Sequence, residues 1–415
     1  MKIEFGYGKG TETLDLRDGR LIAVLRANEM NHERKSREAV RFALENPIGT
    51  PRLSELLKPG MKVSIVASDI SRPCPSWEIL PEIVAELSEA GIPDRDIKVV
   101  FAVGSHRTHT EEEKRHLAGE EVYGRIQCSD APDSGYIHLG TTSRGTPVDV
   151  SKDVALSDFI ICTGNIEYHY FAGYSGGYKA IMPGCSTFDA IQVNHKMMAD
   201  ENAKAGILEE NPLRMDIEEA GRMTGVQFIV NAVLDEHKNI VYAVAGDPVL
   251  AHRTGCRYLD RMYSIQVPEK ADIVVVSQGG APKDANLYQT QKAIENAKHA
   301  VKEGGTMIVV GACTEGFGSS IFEEWLREAS SPASLTERIS REFKLGGHKA
   351  AAIGKVLQHA GISLVSEMPE ETVRDIFMEP YSTLQEAFDA ALEKYGEHAS
   401  VICMPFGGAT LPVVK

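Results

Sequence analysis

Residues 62–67 read KVSIVA and residues 98–103 read KVVFAV; between them Ile79, Leu80, Ile83, Val84 and Leu87 recur at helical spacing before a stop at Gly91. Short apolar runs of this kind read as buried strands, and apolar residues three and four apart form one face of a helix. The alternation returns at 158–163 (DFIICT), 272–277 (DIVVVS) and 307–310 (MIVV), each followed by a polar or Gly-rich loop. Thr110 before Glu111, Glu112 and Glu113 reads as a capped helix start, with acids at its positive end. Repeated strand, loop and helix predicts an α/β fold of mostly parallel sheets flanked by helices. One element departs: 227–234 (QFIVNAVL) and 240–244 (IVYAV), joined by Asp-Glu-His-Lys-Asn, read as an antiparallel hairpin. A polar stretch near 266–270 then precedes a fresh strand. The predicted division is therefore 1–265 and 266–415, with the hairpin late in the first domain. Residues 330–347, rich in Ser, Gly and charge, read as a surface excursion.

A chain of 415 residues is long enough for two or three domains and can bury most of its unfolded surface without a metal or disulfide staple. The formal charge of 44 − 59 = −15 argues against nucleic acid or an anionic membrane as the main partner. It leaves room for a small anion held by a few local cations. The seven cysteines are widely spaced, with no C-x-x-C, so neither a zinc knot nor a disulfide framework is supported. No secretory or membrane-spanning run is present, and a cytoplasmic, reducing location is expected.

Loops at the carboxyl ends of parallel strands are where ligands bind, and the chemistry-bearing residues cluster there. Asp69 and Arg72, just after residues 62–67, can converge on one ligand, Arg gripping a carboxylate with paired bonds; they can equally brace the turn before Pro73. His106, in Gly104-Ser105-His106-Arg107, is a candidate acid or base or an exposed turn residue. His109 and His116 are expected on a solvated helix. Residues 163–179 hold Gly173, Gly176, Gly177, several aromatics, His169 and Lys179 in one loop. Glycine lets backbone approach a bulky ligand, and a partly desolvated lysine suits covalent or cofactor chemistry; the plainer reading is a snorkelling lysine. No phosphate-loop pattern is present, since Ala180 follows Lys179. His195 falls two to three turns into a helix expected over 187–199, with Ser186 as its cap; alone it is a core residue or a metal ligand needing partners from elsewhere. In the second domain, Gln289 and Lys292 share a helix face beside Tyr288 and can present donors to an anion or simply face water.

Taken in order, these motifs resemble the nickel-dependent lactate racemase family. The shared pattern is Asp-x-x-Arg-Pro, Gly-x-His-Arg, a His with Gly-Gly-Tyr-Lys ending ten residues on (179 − 169), a helical His sixteen beyond that (195 − 179), and Tyr-Gln-x-x-Lys. The resemblance implies a nickel-pincer nucleotide (nickel pyridinium-3,5-bisthiocarboxylic acid mononucleotide) held covalently by Lys179, with His195 as the protein ligand to nickel. It implies His106 and His169 as the acid/base pair, and Asp69, Tyr288, Gly173, Gly176 and Gly177 beside the cofactor. Arg72, Gln289 and Lys292 would anchor substrate at an interdomain cleft. It further implies inversion of a 2-hydroxy acid by hydride transfer through a 2-keto acid. The partners implied are the small anionic substrate and the proteins that make the cofactor and insert nickel. Lactate-specific members carry a bulky Trp where this chain reads Gly346-Gly347-His348-Lys349, so malate-like or sugar acids are alternative substrates. Two rival readings are a zinc-type hydrolase using His106, His169 and His195, and a cofactor-binding protein without turnover.

Overall fold

The computed structural model describes residues 1–16 and 20–414. The chain folds as two compact units, one formed by Met30–Arg261 and the other by Met1–Glu29 together with Met262–Lys415. Both are α/β units with parallel-dominated sheets, helices on the sheet faces and small antiparallel hairpins.

In the unit Met30–Arg261 the strands run in the order Ile240–Gly246, Phe228–Leu234, Phe159–Ile166, Val63–Ser68, Ile97–Ala102, Gln127–Asp130. All neighbours are parallel except Ile240–Gly246, which pairs antiparallel with Phe228–Leu234, the hairpin expected from its sequence. Every residue of Phe159–Ile166 and of Phe228–Leu234 is buried, as a sheet covered on both faces requires. Helix Ser76–Glu89 buries Ile79, Leu80, Ile83, Val84 and Leu87 in one cluster with Ile65, Val99 and Phe101. At about 1.5–3 kcal/mol for each buried aliphatic side chain, this face holds the helix to the sheet. Thr110 caps helix Glu111–Tyr123 by a reciprocal bond pair with Glu113. The helix read over 187–199 is an α-helix at Phe188–His195 continued by a tighter turn at Lys196–Ala199, and its cap is Thr187 rather than Ser186, whose hydroxyl turns back to the Ile181 carbonyl.

The other unit has a wholly parallel sheet, in the order Glu379–Tyr381, Gly361–Val365, Val301–Val310, Ala271–Ser277, Ser400–Met404, Arg20–Val24. Here the structure draws the division differently from 1–265 and 266–415. Strand Arg20–Val24 pairs with Ser400–Met404 at the sheet edge, and the hairpin Lys2–Tyr7/Gly10–Asp15 packs Ile3, Phe5 and Leu14 against Ile273, Val275 and Ile308. Residues 1–29 thus belong with the C-terminal half. Nothing local in the sequence announces a pairing partner at the opposite end of the chain. The segment read as a surface excursion contains helix Pro332–Arg341, capped by Ser331 and anchored by buried Leu335. Among the described residues no helix is long and apolar enough to cross a membrane.

From Val63–Ser68 the unit Met30–Arg261 builds outward through Ile97–Ala102 and Gln127–Asp130, then returns to the other side of Val63–Ser68 at Phe159–Ile166. That reversal is a topological switch point, whose carboxyl ends form the usual ligand crevice. The segments beginning at Asp69, Val103 and Glu167 all leave the sheet there.

Candidate active site

Asp69 is buried, 3% exposed, at the carboxyl end of the central strand. One carboxylate oxygen lies 2.9 Å from His106 Nδ1. The other accepts from the Ser71 backbone N–H at 2.7 Å and from the Ser71 hydroxyl. Arg72 Nε stands 3.9 Å away. Burial alone would raise this carboxyl, but the His106 bond, the Arg72 charge and the Ser71 bonds outweigh it and hold the pKa at about 2. Asp69 is therefore an ionised acceptor, His106 Nδ1 must be the donor, and Nε2 of the neutral ring is left as its basic nitrogen. The structure brings Asp69, Arg72 and His106 together as one group.

His109 is not on a solvated helix face. It is buried, donating from Nδ1 to Asp130 at 2.6 Å and accepting the Ile70 N–H at Nε2, 3.0 Å away. The Asp130–His109 pair thus holds the backbone of the loop that carries Asp69 and Arg72. The sequence masks it, because a residue before a charged helix gives no sign that it turns inward.

Lys179 stands half-buried on a tight turn, Gly177–Ala180. Its carbonyl accepts from Gly184 N–H at 3.2 Å, and the Gly184 carbonyl accepts from Gly104 N–H at 2.8 Å. The lysine segment is thereby stitched to the loop carrying His106. A side chain at Gly184 would meet the Ala180 carbonyl at 2.3 Å, and one at Gly173 would meet the Ile207 carbonyl at 2.0 Å. At Gly176 and Gly177, both at positive φ, a Cβ would press on Asn231 and Arg214. The protein's own packing therefore requires these glycines.

Beneath this turn lies a buried polar scaffold with no sequence motif. Arg214, 1% exposed, donates to the Tyr174 carbonyl at 3.3 Å, the Gly176 carbonyl at 3.4 Å and Glu218 at 3.0 Å. His252 donates to the Ser175 carbonyl at 2.8 Å, and Asn231 accepts the Gly177 N–H at 2.7 Å. Burial, reinforced by the Arg214 charge, pushes His252 well below the usual imidazole range, so it is neutral. Arg214→Met leaves the Tyr174 and Gly176 carbonyls without this donor, while buried Glu218 keeps Arg253 at 2.8 Å. It is accordingly expected to cost about 1–3 kcal/mol of stability, read as a lower denaturant midpoint; no measurable loss would show that the scaffold does not hold the turn.

His169 sits in a short hairpin, Tyr168–His169 paired with Gly173–Tyr174. The Tyr168 and Tyr174 hydroxyls both donate to Asp260, at 2.8 and 2.7 Å, which pins the hairpin. His169 Nδ1 accepts the Ala172 N–H at 3.3 Å, so its neutral ring carries hydrogen at Nε2. His106 and His169 are held in opposite tautomers. The His169 and His195 rings both pack on Phe171, with centroids 4.5 and 4.8 Å from it. His195 closes helix Phe188–His195 and is buried. Among the described residues, no three His, Cys, Asp or Glu side chains gather where they could hold a metal ion. His195 offers one imidazole from the protein, the donor that a nickel ion carried inside an organic ligand would need.

Tyr288, Gln289 and Lys292 belong to the other unit, at the start of helix Leu287–Ala297, whose cap Asn286 accepts the Gln289 N–H at 3.0 Å. Within that unit Lys349 donates to the Tyr288 carbonyl at 2.6 Å and lies 3.9 Å from its ring centre, while Gly347 backs onto buried Trp325.

Residues 7–206 match the family model described as lactate racemase N-terminal domain, and residues 267–411 match the one described as lactate racemase C-terminal domain. The lactate racemase of Thermoanaerobacterium thermosaccharolyticum is 32% identical over 98% of this chain and 97% of its own. The chain belongs to the lactate racemase family. By that membership it is an isomerase. The lactate racemase of Lactiplantibacillus plantarum is 31% identical, over 98% of each chain. A solved structure, the lactate racemase apoprotein from T. thermosaccharolyticum, superposes over the whole of both chains with a TM-score of 0.92 at 31% identity.

Proposed function

We propose that the protein inverts the C2 centre of a 2-hydroxy acid of the lactate type through a 2-keto acid, with a nickel-pincer nucleotide joined covalently to Lys179 and with His195 as the protein's ligand to nickel. The observation that carries this reading is the Asp69–His106 couple, tied through Gly104 and Gly184 to the turn bearing Lys179. When bound, the nucleotide supplies an acceptor for the substrate's Cα hydrogen with its electron pair, which a poorly acidic Cα–H would otherwise not release. His106 Nε2 takes the hydroxyl proton, and the ionised Asp69 steadies the imidazolium that results. His169 would be the acid/base partner for the other enantiomer, giving a proton from its protonated ring to the oxygen as that enantiomer forms and taking it back in the reverse direction, since the two enantiomers offer the hydroxyl in different directions. Arg72 offers a charged fork to the carboxylate. Asp69 and the Gly173–Gly177 turn would lie beside the cofactor. Its partners in the cell would be the substrate and the proteins that make and load the cofactor.

The test is intact mass of protein produced with and without the cofactor-biosynthesis enzymes. Adduct-bearing protein is then incubated with single enantiomers of lactate, malate and sugar acids. The reading expects an adduct mapping to Lys179 and loss of optical purity for at least one acid, lactate first in view of the relatives' names. A protein that racemises lactate with no adduct would overturn it.

A further inference from the structure

His195 has a neighbour whose orientation is fixed by the groups around it. Asn194, fully buried, points its Nδ2 at Asp216 Oδ2, 2.7 Å away, and at the Leu213 carbonyl, 3.4 Å away. Both are acceptors, so this atom must be the amide NH2, and a flipped side chain would set oxygen against oxygen twice. The Asn194 oxygen therefore faces His195 Nδ1, at 3.1 Å. Asp216 is itself fully buried, and its other oxygen accepts the Thr142 hydroxyl. That hydroxyl oxygen in turn accepts the Thr146 N–H at 3.1 Å, which commits its hydrogen to Asp216. Each bond in the chain from Thr146 to His195 thus has one permitted direction.

We propose that Asn194 and Asp216 are positioning residues that fix the tautomer of His195 with hydrogen on Nδ1 and the lone pair on Nε2. The proposal rests on the reading of His195 as the nickel ligand and deepens it. An amide oxygen can only accept, so Nδ1 donates and a neutral imidazole keeps its lone pair at Nε2. Outer-sphere partners of this kind set both the tautomer and the orientation of a metal-binding ring. Here the edge of Phe171, packed on the ring at 67° to its plane, adds the rotational restraint. Asn194 and Asp216 come from helices Phe188–His195 and Pro212–Thr224, so the relay also locks one helix to the other.

Two measurements test this. The first is histidine-selective ¹⁵N NMR of the full-length apoprotein, wild type and Asn194→Leu, with His195 assigned by its loss in His195→Ala. Wild type is expected to show Nδ1–H and an unprotonated Nε2, and Asn194→Leu to lose that preference. The second is nickel-edge X-ray absorption of cofactor-loaded protein. Wild type is expected to show an imidazole nitrogen at nickel. Asn194→Leu should lose or lengthen that contact while its Lys179 adduct mass is unchanged, and activity should fall about 10–100-fold. Asp216→Asn, which keeps one acceptor oxygen, should fall between the two. A wild-type apoprotein with hydrogen on Nε2 overturns the proposal, even if the leucine variant does not fold. If His195→Ala removes the imidazole signal and Asn194→Leu leaves both signal and tautomer intact, the ligand reading stands and the proposal falls. If His195→Ala leaves the signal in place, the ligand reading itself fails and the proposal falls with it.

Discussion

Lys179→Ala is expected to yield a folded protein that carries no cofactor adduct and racemises nothing above background. The side chain is only half-buried, and the turn that bears it is fixed by backbone bonds through Gly176, Gly184 and Gly104 together with the Arg214 scaffold. Truncation at Cβ touches none of these. What disappears is the amine, and with it the point of attachment that the proposed function assigns to the cofactor. Lys179→Arg separates nucleophile from charge. The guanidinium keeps the positive charge but is not an amine nucleophile, so it too should show no adduct by intact mass. Turnover by either variant at more than a few per cent of wild type would remove Lys179 from the account.

Asp69→Asn should fold and lower kcat by about 10²–10⁴-fold, with a smaller change in KM. An amide in place of the carboxylate withdraws the charge that stabilises a protonated His106 and can present NH2 to Nδ1, favouring the wrong tautomer. The same substitution has a pH signature. The folded pKa of about 2 lies below the usual 3.8. The ionised group therefore contributes stability that is fully present above about pH 4 and is lost as pH falls through about 2, on the order of 2 kcal/mol. Denaturant midpoints of wild type and Asp69→Asn should converge as pH is lowered across that window. A constant gap would mean that Asp69 is not held ionised by His106 and Arg72.

The parts of the molecule legible in the sequence are those in which a local pattern has a local cause. Buried parallel strands read as unbroken apolar runs because both faces are covered, and Asp69, Arg72 and His106 could be picked out because strand-end loops are where polar clusters have chemical use. Illegible were the groups whose partners are remote. Strand Arg20–Val24 finds its neighbour at Ser400–Met404, and Arg214, His252 and Asn231 meet only under the Lys179 turn. His109 looked like a surface residue because its partner, Asp130, lies at the end of a different strand. The glycines of the 173–177 turn were noticed for the backbone freedom they offer a ligand. The structure adds that protein atoms already fill the space a side chain would need, so composition revealed the residues and folding supplied the reason.

The most direct test of hydrogen leaving carbon with its electron pair is the fate of a C2 label. Cofactor-loaded protein would be given a single enantiomer of 2-deuterated lactate, or of whichever acid the screen selects, in ordinary water. The inverted product would then be analysed by mass spectrometry. Transfer as hydride predicts that the inverted product retains its deuterium. Product that has exchanged C2 deuterium for solvent hydrogen would indicate abstraction as a proton, and the account would be contradicted.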